Sequence, residues 1–112
     1  MPNQSPQLSR VFQALADPTR RAVLERLGRG PATMSDLHRP FPMALPSFSQ
    51  HLAVLETCGL VRSKKVGRAR TYRLVPKPLG QAEHWMTRQR QSWERRLDQL
   101  DTFLTTVKES AP

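Results

Sequence analysis

The stretch Pro46–Cys58, PSFSQHLAVLETC, followed directly by GLVRSKKVGRARTYRLV, limits the fold more than any other part of this chain. Read as a helix, it places Phe48, Leu52 and Leu55 on one face at i, i+4 and i+7 and turns Ser47, Ser49, Gln50 and His51 elsewhere. Pro46 suits the first turn, where its missing N–H is no loss, and Gly59 suits the position just past the end. No acidic residue occurs in the stretch before Glu56. An apolar stripe backing a Ser/Gln/His surface is what a helix lying in the major groove of DNA requires.

The flanking segments agree with that reading. Upstream, Thr33 begins a short helix with Asp36 three residues on, as in a capping box, and with Met34 and Leu37 facing inward. Pro40 and Pro42 end it and stiffen the turn. A short bracing helix, a constrained turn and a longer reading helix form a helix-turn-helix. Downstream, the β-prone runs Leu60–Val66 and Arg70–Val75 are joined by Gly67, Arg68 and Ala69, which predicts a hairpin anchored by Val61, Tyr72 and Leu74. Arg62, Lys64, Lys65, Arg68, Arg70 and Arg73 make this hairpin basic throughout, with no acid among them. Such a hairpin reads as a wing laid on the phosphate backbone.

The remaining helices frame this unit. Leu8, Val11, Phe12 and Leu15 repeat at i, i+3, i+4 and i+7, a short amphipathic helix ending near Ala16. Asp17-Pro18 is a restart signal, a capping carboxylate followed by a first-turn proline, and the next helix runs from Pro18 to Leu27. Pro76 and Pro78 break the chain before a long helix from about Leu79 to Val107. In it Met86, Trp93, Leu97, Leu100, Leu104 and Val107 form a coiled-coil-like seam. A helix of that length extends on the order of 40 Å, more than a small domain covers, so the seam is expected to meet a second copy, with Leu8, Val11 and Phe12 contributing. The expected fold is mainly α with a small β-hairpin. Residues 1–7 form a flexible N-terminus, 8–76 a winged helix-turn-helix, 77–107 a dimerisation helix and 108–112 a tail.

Charge separates the two halves. Residues 1–76 hold twelve Lys/Arg against four acidic residues, a net of +8, and residues 77–112 hold six against five. Positive charge confined to the half with the reading helix predicts a nucleic-acid partner. Cys58 alone excludes an internal disulfide and a paired-cysteine metal motif, and a lone cysteine is expected as a small buried hydrophobe. Trp85, Met86 and Trp93 could line a ligand pocket, although dimer core is the commoner use of such residues. No signal-peptide pattern or membrane-length apolar run is present, which places the protein in the cytoplasm without membrane contact. Nor is there a catalytic triad, phosphate loop or carboxylate pair, so no enzyme is expected.

The strings FQALADPTRRAVLERL and SFSQHLAVLETCGLV, together with the Gly-Arg wing, make residues 8–107 resemble the ArsR/SmtB-type winged-helix transcriptional repressors. The resemblance implies base-reading and phosphate-positioning roles for Ser47, Ser49, Gln50 and His51, a wing tip at Arg68 and Arg70, and a homodimer through the terminal helices. Where metal-sensing members carry Cys-x-Cys-Asp-Leu, this chain has Thr33-Met34-Ser35-Asp36-Leu37, and its terminal helix offers only His84. No metal or other cofactor is therefore expected, and the chain is similar to members that act without metal, some of which repress their own operon. Ala44 stands where a capping Ser is common.

The resulting expectation is a homodimeric repressor on a pseudo-palindromic operator. Ser47, Ser49, Gln50, His51, Lys64, Lys65, Arg68 and Arg70 contact DNA, and Leu8, Val11, Phe12, Met86, Trp93, Leu97, Leu100 and Leu104 form the dimer interface. An effector, small molecule or protein, is left open. Two alternatives stand beside it: an RNA-binding winged-helix protein, which the same charge would suit, and a protein-interaction adaptor using the long helix.

Overall fold

Residues 5–110 are described by a computed structural model of the chain. The elements in order are α1 (Pro6–Leu15), α2 (Pro18–Leu27), β1 (Ala32–Thr33), α3 (Met34–His38), α4 (Leu45–Thr57), β2 (Val61–Val66), β3 (Ala69–Leu74) and α5 (Lys77–Ser110). The three strands form one antiparallel sheet in the order β1-β3-β2. This is a mainly helical fold with a small sheet and a long last helix.

Local chemistry sets most of the boundaries. Ser5 accepts from the Leu8 N–H at 3.4 Å and Pro6 opens α1, so Pro6 and Gln7, expected in a loose segment, are helical. Residues 1–4 of that segment lie outside the described residues. Asp17 caps α2 through the Arg20 N–H at 3.0 Å. Thr33 caps α3 through the Asp36 N–H at 3.2 Å, whereas the Asp36 carboxylate pairs with Arg39 instead of completing a capping box. Gly59, at a φ of 83°, takes the left-handed conformation that ends α4. The hairpin loop is shorter than expected, because Val66 pairs with Ala69 and leaves only Gly67 and Arg68. With positive φ at Gly67 alone, this is the II′-like turn that matches strand twist.

The chain divides into two compact units, one ending at Ala82 and the other beginning at Glu83. The first holds a single core in which Phe48, Leu52 and Leu55 of α4 meet Val11, Val23, Leu27, Leu37, Leu60, Val61 and Tyr72. Phe48 is fully buried and has Phe41 stacked on it at 5.3 Å and His38 tilted against it at 5.2 Å. This unit reaches past the expected boundary at residue 76 because Pro78 and Ala82, in the first turns of α5, are buried and Leu79 packs on the core.

Val11 corrects one expectation. At 1% exposure it belongs to the core of its own chain and is withdrawn from the dimer surface, and Leu8 and Phe12 pack partly against the same core. The α1 stripe therefore has an intramolecular use. The second unit consists of the rest of α5, which continues as helix through residues 108–110 of the expected tail, residues 111–112 lying outside the described residues. Met86, Trp93, Leu97, Leu100, Leu104 and Val107 are each about half exposed or more, and Phe103, which the seam spacing omitted, is 63% exposed.

Candidate nucleic-acid interface

The burial of Phe48, Leu52 and Leu55 fixes the rotation of α4 about its axis. Ser47 and Gln50 are exposed, and Ala53, Val54 and Thr57 continue the same outward strip toward the C-terminal end. Leu45 and Val54, at 48% and 38% exposure, add apolar surface that the polar reading of this face did not include. Ser and Gln can hydrogen-bond base edges, and apolar side chains can meet a thymine methyl group. Ala44 takes the N-cap conformation but has no side chain to bond the helix N–H groups, so these N-terminal donors remain available to an anion.

Ser49 and His51 are half-buried. The Arg20 guanidinium donates through Nη1 to His51 Nδ1 at 3.2 Å, through Nε to the Ala14 carbonyl at 2.9 Å and through Nη2 to the Gln13 carbonyl at 2.9 Å. Guanidinium has only protons to give, so Nδ1 accepts and the ring proton sits on Nε2. Asp17 Oδ2 stands 3.6 Å from the same Nδ1, an electrostatic neighbour beyond hydrogen-bond reach. One arginine thus joins the end of α1, the start of α2 and the reading helix. The backbone N–H of Arg20, with the Arg20 charge adding to it, holds the Asp17 carboxyl below its ordinary value of 3.8 against a partial burial that opposes this. His51 is consequently a fixed member of the scaffold, and only its Nε2 edge remains to meet a ligand.

A second polar chain runs from α4 to the wing. Ser63 Oγ donates to the Glu56 carboxylate at 3.0 and 3.2 Å and accepts from Arg70 Nη1 at 2.9 Å. Burial foremost, then the Glu56 charge, raises the Tyr72 phenol beside it, and Arg70 partly offsets this. Arg70, expected near the wing tip as a DNA contact, therefore spends one N–H inside the protein. The tip is Gly67-Arg68, with Arg68 exposed.

The strand register separates cations that the linear sequence ran together. Lys65 pairs with Arg70 and Ser63 with Tyr72, on the sheet face that carries the buried Val61. Lys64 pairs with Thr71 and Arg62 with Arg73, and side chains alternate across a strand, so these lie on the opposite face. Lys64 and Lys65 consequently project from opposite faces of the hairpin.

His38 and Cys58 fall into structural places. His38 Nε2 donates to the Met43 carbonyl at 2.7 Å and closes the turn between α3 and α4, a role that no local pattern announces. Cys58 is buried and its Sγ donates to the Leu55 carbonyl at 3.3 Å. His84 is exposed. Among the described residues no cluster of three metal-ligating side chains forms, and no helix is long and apolar enough to cross a membrane.

A bracing helix, a turn braced by His38, an outward-facing α4 and a two-stranded wing define a winged helix-turn-helix protein. A helix-turn-helix domain model matches residues 15–64. The HTH-type transcriptional regulator Rv2034 of Mycobacterium tuberculosis is 49% identical over 67 residues, a match spanning 60% of this chain and 63% of that protein. The transcriptional repressor SdpR of Bacillus subtilis is 33% identical over 79 residues, covering 70% of this chain and 88% of that one. Among solved structures, the ArsR family transcriptional regulator RHA00566 is 54% identical with a TM-score of 0.77 and covers 81% of this chain and 95% of that one. The homodimeric winged helix-turn-helix domain of Mb0332 from Mycobacterium bovis is 26% identical with a TM-score of 0.60, over 85% and 93% of the two chains. The chain belongs to the ArsR family of transcriptional regulators, a family of regulators and not of enzymes.

Proposed function

We propose that the protein is a homodimeric, sequence-specific repressor that binds a pseudo-palindromic operator in competition with RNA polymerase. The observation that carries the reading is the outward strip of α4, from Ser47 and Gln50 to Thr57, held on a fully buried stripe beside a wing tipped by the exposed Arg68. In this reading α4 enters the major groove. Gln50 reads base edges, and Ser47 and Ser49 position the helix, with the Nε2–H of His51 as a further donor. Lys65, Arg68 and Arg70 meet flanking phosphates.

Dimerisation rests on α5. Met86, Trp93, Leu97, Leu100, Phe103, Leu104 and Val107 recur at helical spacing and stand exposed, a strip that water disfavours and a second copy would cover. The related Mb0332 domain is homodimeric, which agrees with this. A two-fold dimer presents two copies of α4 to two half-sites. The Met34-Ser35 pair in place of thiolates puts the chain with regulators that act without metal at α3, and the cytoplasm is where such a protein would meet its operator.

Gel-shift titration with the duplex upstream of the protein's own gene tests the reading. Gln50→Ala is expected to reduce preference for operator over random duplex, because a base-reading amide is lost. Arg68→Ala is expected to weaken both equally and to lower the salt slope by about 0.9 per contact. Equal losses on both duplexes for Gln50→Ala, or tighter binding to structured RNA than to any duplex, would overturn it.

A further inference from the structure

Helix α1 runs antiparallel along the C-terminal half of α4. At one end a methyl group on Gly59 would meet Gln7 Nε2 at 3.6 Å, and at the other the Arg20 fork ties the Gln13 carbonyl to His51. Between these ends lies a groove of about 310 Å³, lined by Arg10 and Gln13 of α1 and by Ala53, Val54, Thr57 and Cys58 at the end of α4. That is the volume at which ligand cavities begin, so it suits a small molecule. Its floor is apolar. Cys58 is 2% exposed with its thiol proton committed to the Leu55 carbonyl, and Ala53 and Val54 add methyl groups.

One charge sets the chemistry of this groove. Among the described residues the Arg10 guanidinium makes no ion pair or side-chain hydrogen bond, and the Gln13 amide and Thr57 hydroxyl have no side-chain partner either. No acid offsets Arg10: α1 contains none, and Glu56, next to Thr57, is bonded to Ser63 of the wing. A single cation beside two neutral hydrogen-bonding groups selects a singly charged anion, and methyl-lined walls select an apolar body. An inorganic dianion would find one cation and apolar walls, and an amine would meet Arg10 as a like charge. A monocarboxylate with an apolar body fits both parts. Guanidinium takes a carboxylate in a fork, and the remainder of the molecule is covered by Ala53, Val54 and Cys58.

We propose that the groove between α1 and α4 is an effector site for a small organic monocarboxylate with an apolar body, and that its occupant and operator DNA exclude each other. Val54, at 38% exposure, and Thr57 belong both to the groove wall and to the outward strip of α4. A molecule seated there covers the end of that strip. Release then needs no change of fold, only competition for one surface, and the coupling is reciprocal: operator lowers affinity for the acid by the factor by which the acid lowers affinity for operator. The competition rests on the repressor reading, whereas the binding of the acid does not.

The test uses the full chain with naphthoate as the probe and naphthamide, its uncharged isostere, as the control. Calorimetry should give naphthoate a Kd of about 1 mM or tighter, the level expected of a ligand this small, and the amide a Kd at least about tenfold weaker. Methyl NMR signals of Ala53, Val54 and Thr57 should move during the titration. Arg10→Gln, at an exposed position of α1, should keep the wild-type thermal midpoint and bring naphthoate down to the affinity of the amide. In gel shifts, saturating naphthoate should raise the operator Kd of the wild type at least about fivefold and leave that of Arg10→Gln unchanged. No binding of naphthoate, equal binding of acid and amide, or methyl shifts confined to Leu97 and Leu104 of the exposed α5 strip would overturn the site. Naphthoate that binds as expected while operator affinity stays intact overturns the competition. Wild-type protein that binds naphthoate but prefers operator no more than random duplex upholds the site and overturns the repressor reading instead.

Discussion

Removing the Arg20 guanidinium should loosen the reading helix from the rest of the domain. Arg20 makes three bonds, of 2.9, 2.9 and 3.2 Å, to Ala14, Gln13 and His51, two of them part-buried and the one to Gln13 exposed. At a net of about 1 kcal/mol for each part-buried bond and less for the exposed one, Arg20→Ala should cost about 2–2.5 kcal/mol. The share passing through His51 is about 1 kcal/mol, and a double-mutant cycle isolates it. Urea unfolding of wild type, Arg20→Ala, His51→Ala and the double variant should give a coupling energy near that value. All four should be measured at one protein concentration, because association adds to apparent stability. Arg20→Lys should recover little, since an ammonium cannot form the three-way fork. The same cycle read in operator affinity should also be non-additive, because Arg20 sets which His51 nitrogen carries the proton. Additivity within about 0.3 kcal/mol, or full stability in Arg20→Lys, would refute the reasoning.

Three other outcomes follow from the same geometry. Asp17 is held below its ordinary pKa, so its cap stabilises the fold above about pH 4 and is lost as pH falls through the folded-state value; Asp17→Ala should cost ~1 kcal/mol at pH 7, and urea titrations at lower pH should show the difference closing. Ala44 already has N-cap geometry with no side-chain bond, so Ala44→Ser should add ~1 kcal/mol to unfolding stability, and no gain would show that the α4 N–H groups are satisfied otherwise. Leu97→Glu with Leu104→Glu places charges in the exposed α5 strip and should yield the mass of one chain in sedimentation equilibrium, with operator affinity down roughly a hundredfold from lost bivalency; an unchanged dimer would remove this strip from the interface.

Much of the α4 region was legible because its signals are local. Phe48, Leu52 and Leu55 sit at a helical period that only one rotation of the helix can bury, and all three are 1% exposed or less. Asp17-Pro18 and Gly59 act within a few residues of themselves, so their helix ends followed from chemistry alone. The strand β1 was not legible. Its two residues, Ala32 and Thr33, are a strand only because Tyr72 and Thr71, far along the chain, lie beside them.

Periodicity says that a stripe is buried but not against what. Val11 and Leu97 both sit on apolar helical stripes, and only packing shows that Val11 is sealed in its own core while Leu97 is 61% exposed. Likewise, the wing's basic content was plain from the sequence, whereas its division into a Lys65/Arg70 face and an Arg62/Lys64/Arg73 face required the pairing register and the position of the core. The sequence by itself determined the helix ends, the reading helix and the sign of the partner's charge, since caps, period and composition act over a few residues. The tertiary structure alone decided what Arg20, His51, His38 and the individual wing cations do, because a hydrogen bond between residues 31 apart, such as Arg20 to His51, exists only once the chain has brought them together.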